Sequence, residues 1–482
     1  MNKKITTNYI YNLAYKILTL IVPLITTPYL SRVLGADGIG IFHYCMSIVT
    51  YFTYAGNLGT PLHGQREIAA VRDNHEQRNQ IFSDIVLLQC GLILLSLLLY
   101  LAVVPFFHRY ETMFIICAVG ILANIFDINW LYAGLEEFPR IVFRNVIVKT
   151  ISVLSIFIFV RQKSDLYIYA ICMMLSNLLG NIWLFIGSRK YVKLVKPKFK
   201  NMPGYLKSST VLMLPTLVTV LYASIDKTMI GTLSNSISEV GYYEQSQKII
   251  TMSIAVVTSL GAVLMPRLSA LFAGNDTDGI KKYVNISISF CIFISLPMAF
   301  GLATISGNLV PWFFGPGFEK VENLLIIFSP MLVFMGVSNL IGTQLLISTR
   351  HEKTLLKVII ASVLVNCFLN YLLIPKYFSI GAAIATVVSE GMKTLIYLVL
   401  GRTYLSLEEL AYLFKCCLVS AIMSAAILVL NKFVFTSPIM INTVLLIMIG
   451  IAVYMVIMLA TKDPMMFRAI GMLKKRLKRS RQ

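Results

Sequence analysis

LSRVLGADGIGIFHY (Leu30–Tyr44) and MIGTLSNSISEVGYYEQ (Met229–Gln245), about 200 residues apart, read as one hairpin written twice. In each, an apolar helix runs into a short loop, an acid leads into Ile-Gly or Val-Gly, and an aromatic opens the next helix. Asp37, Ile39, Gly40 and Phe42 match Glu239, Val240, Gly241 and Tyr243. A second echo, AICMMLSN (Ala170–Asn177) against AIATVVSE (Ala383–Glu390), has nearly the same offset. A chain that repeats itself at this scale is built from two copies of one structural unit.

Composition names the solvent of those units. The chain is 57% hydrophobic and 13% charged, with a mean hydropathy of +0.77, outside the range of soluble domains. A bilayer core of ~30 Å takes about 20 apolar residues per crossing. Fourteen such segments are expected, at 9–34, 40–62, 81–104, 112–133, 142–160, 166–187, 208–230, 240–264, 283–305, 324–349, 355–374, 380–400, 413–431 and 438–461. Alternating ten-residue strands of a membrane barrel are absent from the sequence. The expected fold is therefore an all-α integral membrane protein. It divides into a six-helix lobe at 1–190, a basic linker at 191–207, a second six-helix lobe at 208–402, two additional helices at 403–461 and a basic tail at 462–482. Six is even, so both lobes insert with one orientation, as in transporters whose halves flank a central path.

Lys and Arg placement orients the chain. With the N-terminus inside, and with residues toward the ends of spans counted with the adjoining loops, 31 of the 42 basic residues fall on cytoplasmic segments and seven on outward ones. Lys16, Lys227, Lys248 and Lys393 fall within spans. Both termini are expected in the cytoplasm. The net charge of +20 then expresses topology and attraction to anionic headgroups, not nucleic-acid binding. The run SRKYVKLVKPKFK (Ser188–Lys200) sits at the repeat boundary and is expected to join the lobes.

Catalytic and metal chemistry find no motif. The eight cysteines lie in or beside spans without CxxC spacing, and the five histidines form no helical pair. No phosphate-binding loop, nucleophile elbow or dinucleotide fingerprint is present. Outward loops are short, which argues against a membrane polymerase. The expectation is a protein that is not an enzyme and needs no cofactor.

PYLSRVLGADGIGIF, GNLGTPLHGQREIA, the IDKTMIG…EVGYYEQSQKI block and GAAIATVVSE together resemble the Wzx-type polysaccharide flippases of the multidrug/oligosaccharidyl-lipid/polysaccharide exporter superfamily. The resemblance covers essentially the first 400 residues. It implies two six-helix lobes in a V around a central cavity. It also implies movement of an undecaprenyl-diphosphate-linked oligosaccharide from the inner to the outer leaflet of the bacterial cytoplasmic membrane. Anionic lipids, a polysaccharide polymerase and glycosyltransferases would be its partners, and an H⁺ or Na⁺ gradient its candidate energy source. The rival readings are a peptidoglycan-precursor flippase and a cation-coupled drug exporter of the same superfamily.

Ionisable groups inside spans mark the candidate path. Lys16 shares a helix face with Asn12 and Tyr9, and Lys248 follows Glu244 and Gln245 by four and three residues. Arg32 belongs to the outer SRVLG turn, while Arg66 follows GTPLHGQ at the inner mouth, where a guanidinium suits a phosphate. Asp127 and Trp130 place a carboxylate and an indole in the fourth span, fitting sugar stacking or the interfacial belt. Asp226, Lys227 and Glu244 are the coupling or gating candidates; Asp226 and Lys227 are adjacent, so their side chains diverge by about 100° on a helix. Glu390 and Lys393 are three apart on one face and read as a pair. Pro23 and Pro215 are expected to kink the leading helices of the two lobes. The topology is directly testable. A reporter fused after Arg481 should score cytoplasmic and one at Ser164 periplasmic; a tail found outside would mean an odd number of crossings and would undo the two-lobe reading.

Overall fold

The computed structural model describes the backbone of residues 3–258, 261–406, 408–433, 439–468 and 471, and the side chains of these apart from 3–18, 20, 214–216, 261–264, 266 and 410. Lys16, Pro215 and the basic tail from 472 fall outside the described side chains. Among the described residues every regular element is helical. Ten helical stretches there are long and apolar enough to cross a bilayer, or eleven if Phe199–Met213 and Leu217–Leu233, bent by 58°, form one crossing.

Two of the ten, Ile21–Ala70 and His75–Gly134, run for 50 and 60 residues. Each holds two of the expected spans, and the chain breaks between them. Helix α1 (Lys3–Asn57) breaks at Gly35, whose φ of 68° and ψ of 178° suit a residue without a Cβ. Helix α2 (Thr60–Ala70) follows Gly59, another left-handed position at φ 77°. Helix α3 (His75–Val103) passes into a tight 3₁₀ turn, Val104–Tyr110, where Phe107 leaves helical geometry. Helix α4 (Glu111–Ala123) then stops within the expected fourth span. A turn at Asn124–Phe126 separates it from α5 (Asn129–Gly134), so that span is discontinuous.

Helices α6 (Phe138–Phe159), α7 (Leu166–Gly187) and α8 (Met202–Leu233) follow. The expected crossing at 240–264 falls on α9 (Ser238–Thr258) and α10 (Gly261–Ala273). Beyond it lie α11 (Thr277–Phe313), α12 (Lys320–Phe328) and α13 (Met331–Ser338), which runs into a π-helical stretch at Asn339–Leu346. The last four are α14 (Glu352–Tyr377), α15 (Ser379–Leu400), α16 (Glu408–Asn431) and α17 (Ile439–Ala460).

The chain divides into two compact units, Met1–Gly241 and Tyr242–Gln482. In the first, α1 packs on α3, α4, α6 and α8, and α7 packs on α4 and α6. Ile68, Phe82, Ile85, Trp130 and Leu131 form a buried cluster there. In the second, α11 packs on α12, α13, α16 and α17, and α14 pairs with α15. Its core gathers Ile292, Val337, Ile341, Tyr397, Met423 and Tyr454. Large apolar side chains on both units point outward, among them Leu98, Leu179, Leu395 and Met448. Such an exterior is a liability in water and the expected surface in lipid.

The two hairpins of the repeat meet within the first unit. A Cβ on Gly40 would lie 2.1 Å from the Ile237 carbonyl oxygen, and one on Gly241 would lie 2.1 Å from that of Ala36. Gly231 similarly lies against the Tyr44 ring, at 2.1 Å for an added Cβ. Helices in lipid associate through such close approach of small residues. Gly40→Ala and Gly241→Ala should each destabilise the protein by about 1–3 kcal/mol through overpacking. Thermal unfolding in detergent should register a lower midpoint. Gly91→Ala, with open space around the added methyl, should match or exceed the parent; equal midpoints for all three would refute the reciprocal contact.

Candidate functional site

Polar and ionisable side chains inside the apolar helices form several clusters, each held within one unit. In the first, Asn124 and Asp127 flank the break between α4 and α5. Gln89 of α3 donates to the backbone carbonyls of Asn124 (2.6 Å) and Asp127 (3.0 Å) and accepts from the Trp130 indole N–H at 3.1 Å. Asp127 Oδ1 accepts from the Asn129 backbone N–H and side-chain amide, closing a local turn just ahead of α5. A helix interruption leaves backbone groups that lipid cannot satisfy, and this amide network satisfies them. Trp130 is buried, and a Cβ on Gly64 would sit 2.6 Å from its ring. A sugar reaches that indole only if the packing opens.

Asp226 is 2% exposed on α8, two residues before Thr228. The Thr228 hydroxyl shares hydrogen bonds of 2.8 Å with the Ser47 and Tyr51 hydroxyls of α1. Lys227 is half-buried. Arg32 is exposed and donates to the Pro28 carbonyl at 3.1 Å, one turn back on α1. Arg66 is exposed on α2, and the neighbouring His63 and Glu67 lie 3.8 Å apart. Lys16 lies on α1, outside the described side chains.

In the second unit, Glu244 is buried and Lys248 lies 3.9 Å from it, with Gln245 fully enclosed. Glu390 is also fully enclosed and accepts from Lys393 Nζ at 2.5 Å. Around it runs a polar ladder between α14 and α15. Asn370 donates to Asn366, Asn366 donates to the Thr386 hydroxyl at 3.4 Å, and Tyr243 hydrogen-bonds that hydroxyl at 3.0 Å. Buried pairs of this kind are tolerated in a membrane protein's interior when neutralised together.

Two clusters lie outside the charge-placement reading. Arg144, counted by sequence among the inner basic residues, is buried on α6. Its guanidinium donates to Asn145 Oδ1 (2.7 Å), to Asn177 Oδ1 (3.1 Å) and backbone oxygen, and to Asn181 Oδ1. Asn177 and Asn181, one turn apart on a single face, are the sequence signal for it. The basic linker is the other. Its backbone N–H groups at Lys193, Val195 and Lys198 donate to Asn79 Oδ1, Ser83 Oγ and Asp84 Oδ1 on α3, at 2.9, 2.9 and 2.7 Å. Asp84 is fully buried beneath it, while the linker lysines face outward.

Comparison with known proteins places this architecture. The model of the family described as polysaccharide biosynthesis protein matches residues 5–272, and the MatE model matches residues 212–372. A putative O-antigen transporter of Escherichia coli (strain K12) is 24% identical over 389 residues, 79% of this chain and 93% of its own. A probable low-salt glycan biosynthesis flippase, Agl15 of Haloferax volcanii, is 24% identical over 264 residues, 55% of each chain. A probable lipid II flippase MurJ of Rickettsia prowazekii is 21% identical over 60% of each. Among solved structures, a lipid II flippase MurJ in an inward closed conformation superposes with a TM-score of 0.77 at 18% identity, covering 94% of this chain and 99% of that one. An inward-facing multidrug resistance MATE transporter gives a TM-score of 0.61 at 13% identity, covering 82% and 98%. These structures share the fold. With more than half its length matched, the chain belongs to the polysaccharide biosynthesis protein family.

Proposed function

We propose that this protein carries an undecaprenyl-diphosphate-linked oligosaccharide repeat unit from the inner to the outer leaflet of a bacterial cytoplasmic membrane, supplying surface-polysaccharide assembly. The observation that carries the reading is the family match across residues 5–272, on a chain that buries ionisable and amide side chains inside apolar helices. The relatives named for O-antigen and glycan transport support it.

The physical task is set by the cargo. A diphosphate and several sugars cannot enter hydrocarbon unaided, because each unpaired polar group costs several kcal/mol there. The polyprenyl tail stays in lipid throughout. The protein has only to replace water around the headgroup. Arg66 on the side we assign as cytoplasmic is placed to meet the diphosphate first, since a guanidinium forks onto phosphate oxygens. Lys16 of the first unit and Lys248 of the second are our candidates for the contacts that follow, and Arg32 is the candidate for the outer mouth. The same chemistry suits a lipid-linked peptidoglycan precursor, the cargo named for the Rickettsia relative. Cationic drugs fit poorly with a lining that leans basic.

Glu244 gives the path a means of coupling. Its counter-charge is Lys248, 3.9 Å away. A diphosphate that takes Lys248 strips Glu244 of that cation, and the carboxylate then binds H⁺ or Na⁺ more readily. Such differential ion affinity is the one way a gradient can bias alternation. Asp226 is the first unit's corresponding candidate, with Lys227 beside it in sequence.

Reconstituted vesicles carrying the lipid-linked oligosaccharide test the cargo. Its transfer should outpace that of a lipid-linked peptidoglycan precursor or a cationic dye, and preference for either of those would overturn the assignment. In cells, Lys16→Ala and Lys248→Ala should each cut surface glycan about tenfold at unchanged protein level, with Lys→Arg milder. Normal glycan in both alanine variants would make the lysines structural. Asp226→Asn and Glu244→Gln should abolish the response of transport to an imposed pH or sodium step more than they weaken substrate binding. Wild-type transport indifferent to both steps would mean passive equilibration.

A further inference from the structure

A cleft of about 410 Å³ opens in the first unit between Tyr44, the Val104–Tyr110 turn and the Gly231–Ile237 segment. We propose that it is a sugar-binding subsite on the outward face, holding a sugar of the translocated oligosaccharide as it leaves the path. This rests on the flippase reading above and adds to it a place and a chemistry for the glycan itself. The assigned orientation puts both hairpin loops that build the cleft, and Arg109, on the outward side.

Its lining has the two ingredients that sugars require. A pyranose ring offers one face of C–H groups and a rim of hydroxyls, so its sites combine an aromatic platform with polar forks. Phe106 supplies the platform. It is 80% exposed, although covering such a ring would be worth about 1.5–3 kcal/mol. Tyr44 and Phe107 cannot serve, because they are spent on packing; their rings pair with each other and with Phe114 at 4.7–6.3 Å. The polar rim is formed by Arg109, Thr232 and Asn235, all exposed.

Tyr110 points to a ligand independently. The residue lines the cleft, and its phenolic oxygen is buried with no hydrogen-bond partner among the described residues. Its ring is fixed, edge-on to Tyr44 at 6.2 Å and beneath the Arg109 guanidinium at 5.4 Å. A buried hydroxyl left unpaired costs about 1–3 kcal/mol, and a sugar hydroxyl that reaches it as the cleft wall gives would remove that cost. Among the described residues no carboxylate lines the cleft, so its rim favours neutral or acidic sugars over cations. Phe106 as a lipid-interface anchor is the competing account, and it leaves the orphaned Tyr110 hydroxyl and the polar rim without a role.

The full-length protein in lipid nanodiscs, free of sugar detergents, provides the test. The probe is the repeat-unit oligosaccharide released by mild acid from the source strain's own surface glycan. Hydrogen exchange at 104–110 and 231–237 should slow as the oligosaccharide is added. Phe106→Ala and Tyr110→Phe should each raise the concentration required by about tenfold; the first residue is exposed and the second change is isosteric, so folding should survive. A protein that flips the lipid-linked oligosaccharide in vesicles yet gains no protection, or gains it equally in both variants, overturns the subsite and leaves the flippase reading intact. Protection that needs anionic lipid and no oligosaccharide assigns the cleft to headgroups and also overturns it. Protection by the oligosaccharide in a protein that flips nothing upholds the subsite and sinks the transport reading instead.

Discussion

The approach of Gly40 to the Ile237 carbonyl, and of Gly241 to that of Ala36, sets the register on which the first unit depends. Both contacts join the same two positions of the repeated hairpin, displaced by the same 201 residues, so each hairpin grips the other as it is gripped. In hydrocarbon there is no hydrophobic force to press helices together, and close backbone packing takes its place. Once these two glycines are seated, Gly231 comes down on Tyr44 and Thr228 reaches Ser47 and Tyr51. The outward cleft, the buried Asp226 and the pairing of α1 with α8 follow from that registration. A side chain on either glycine would move all of them together.

Much of this fold was legible in the sequence because the membrane simplifies the code. Apolar runs of span length have one meaning in this composition, and the hairpin repeat announces tandem units. The breaks were harder. Gly35 and the VPFFHRY turn were visible as joints, but FDINW was not, since Asp127 and Asn129 look like ordinary span-end residues. The chain stops there because Gln89, 35 and 38 residues away from its acceptors, satisfies the exposed carbonyls. No local window contains that information. The repeat, likewise, established that two hairpins are alike and was silent on whether they touch.

Among the candidate residues, the ones read as pairs were the most legible. Glu244 with Lys248 and Glu390 with Lys393 lie on one helical face by spacing alone, and the structure brings each together. Trp130 was less so, because an indole near a span end fits the interface as well as it fits an interior. Its place was decided by Gly64, which has no side chain and left no mark on a hydropathy profile. The burial of Arg144 and the seating of the linker backbone left no mark on charge placement. Charge statistics treat every inner lysine and arginine as solvated, whereas three asparagine side chains hold Arg144 inside and the Asn79–Ser83–Asp84 face holds the linker backbone.

The second echo of the repeat explains why Arg144 is where it is. Aligning Asn177 with Glu390 carries Arg144 onto Lys357 and Gly180 onto Lys393. In the first copy, α6 sends the guanidinium inward, and position 180 must be glycine; a Cβ there would meet Val148 at 2.2 Å and Arg144 Nε at 2.9 Å. In the second copy, Lys357 is exposed and the position of that glycine is itself the lysine that pairs with Glu390. The two copies thus bury a cation by different routes, one held by amide side chains across a helix pair and one paired along a single helix. Swapping either element alone fails. A large residue at 180 evicts the arginine, and a small one at 393 leaves Glu390 buried without its counter-charge, a loss typically of about 3–5 kcal/mol. What the two copies share is a buried cation, and in each the residue that supplies it is fitted to a neighbour, Gly180 making room for Arg144 and Glu390 balancing Lys393.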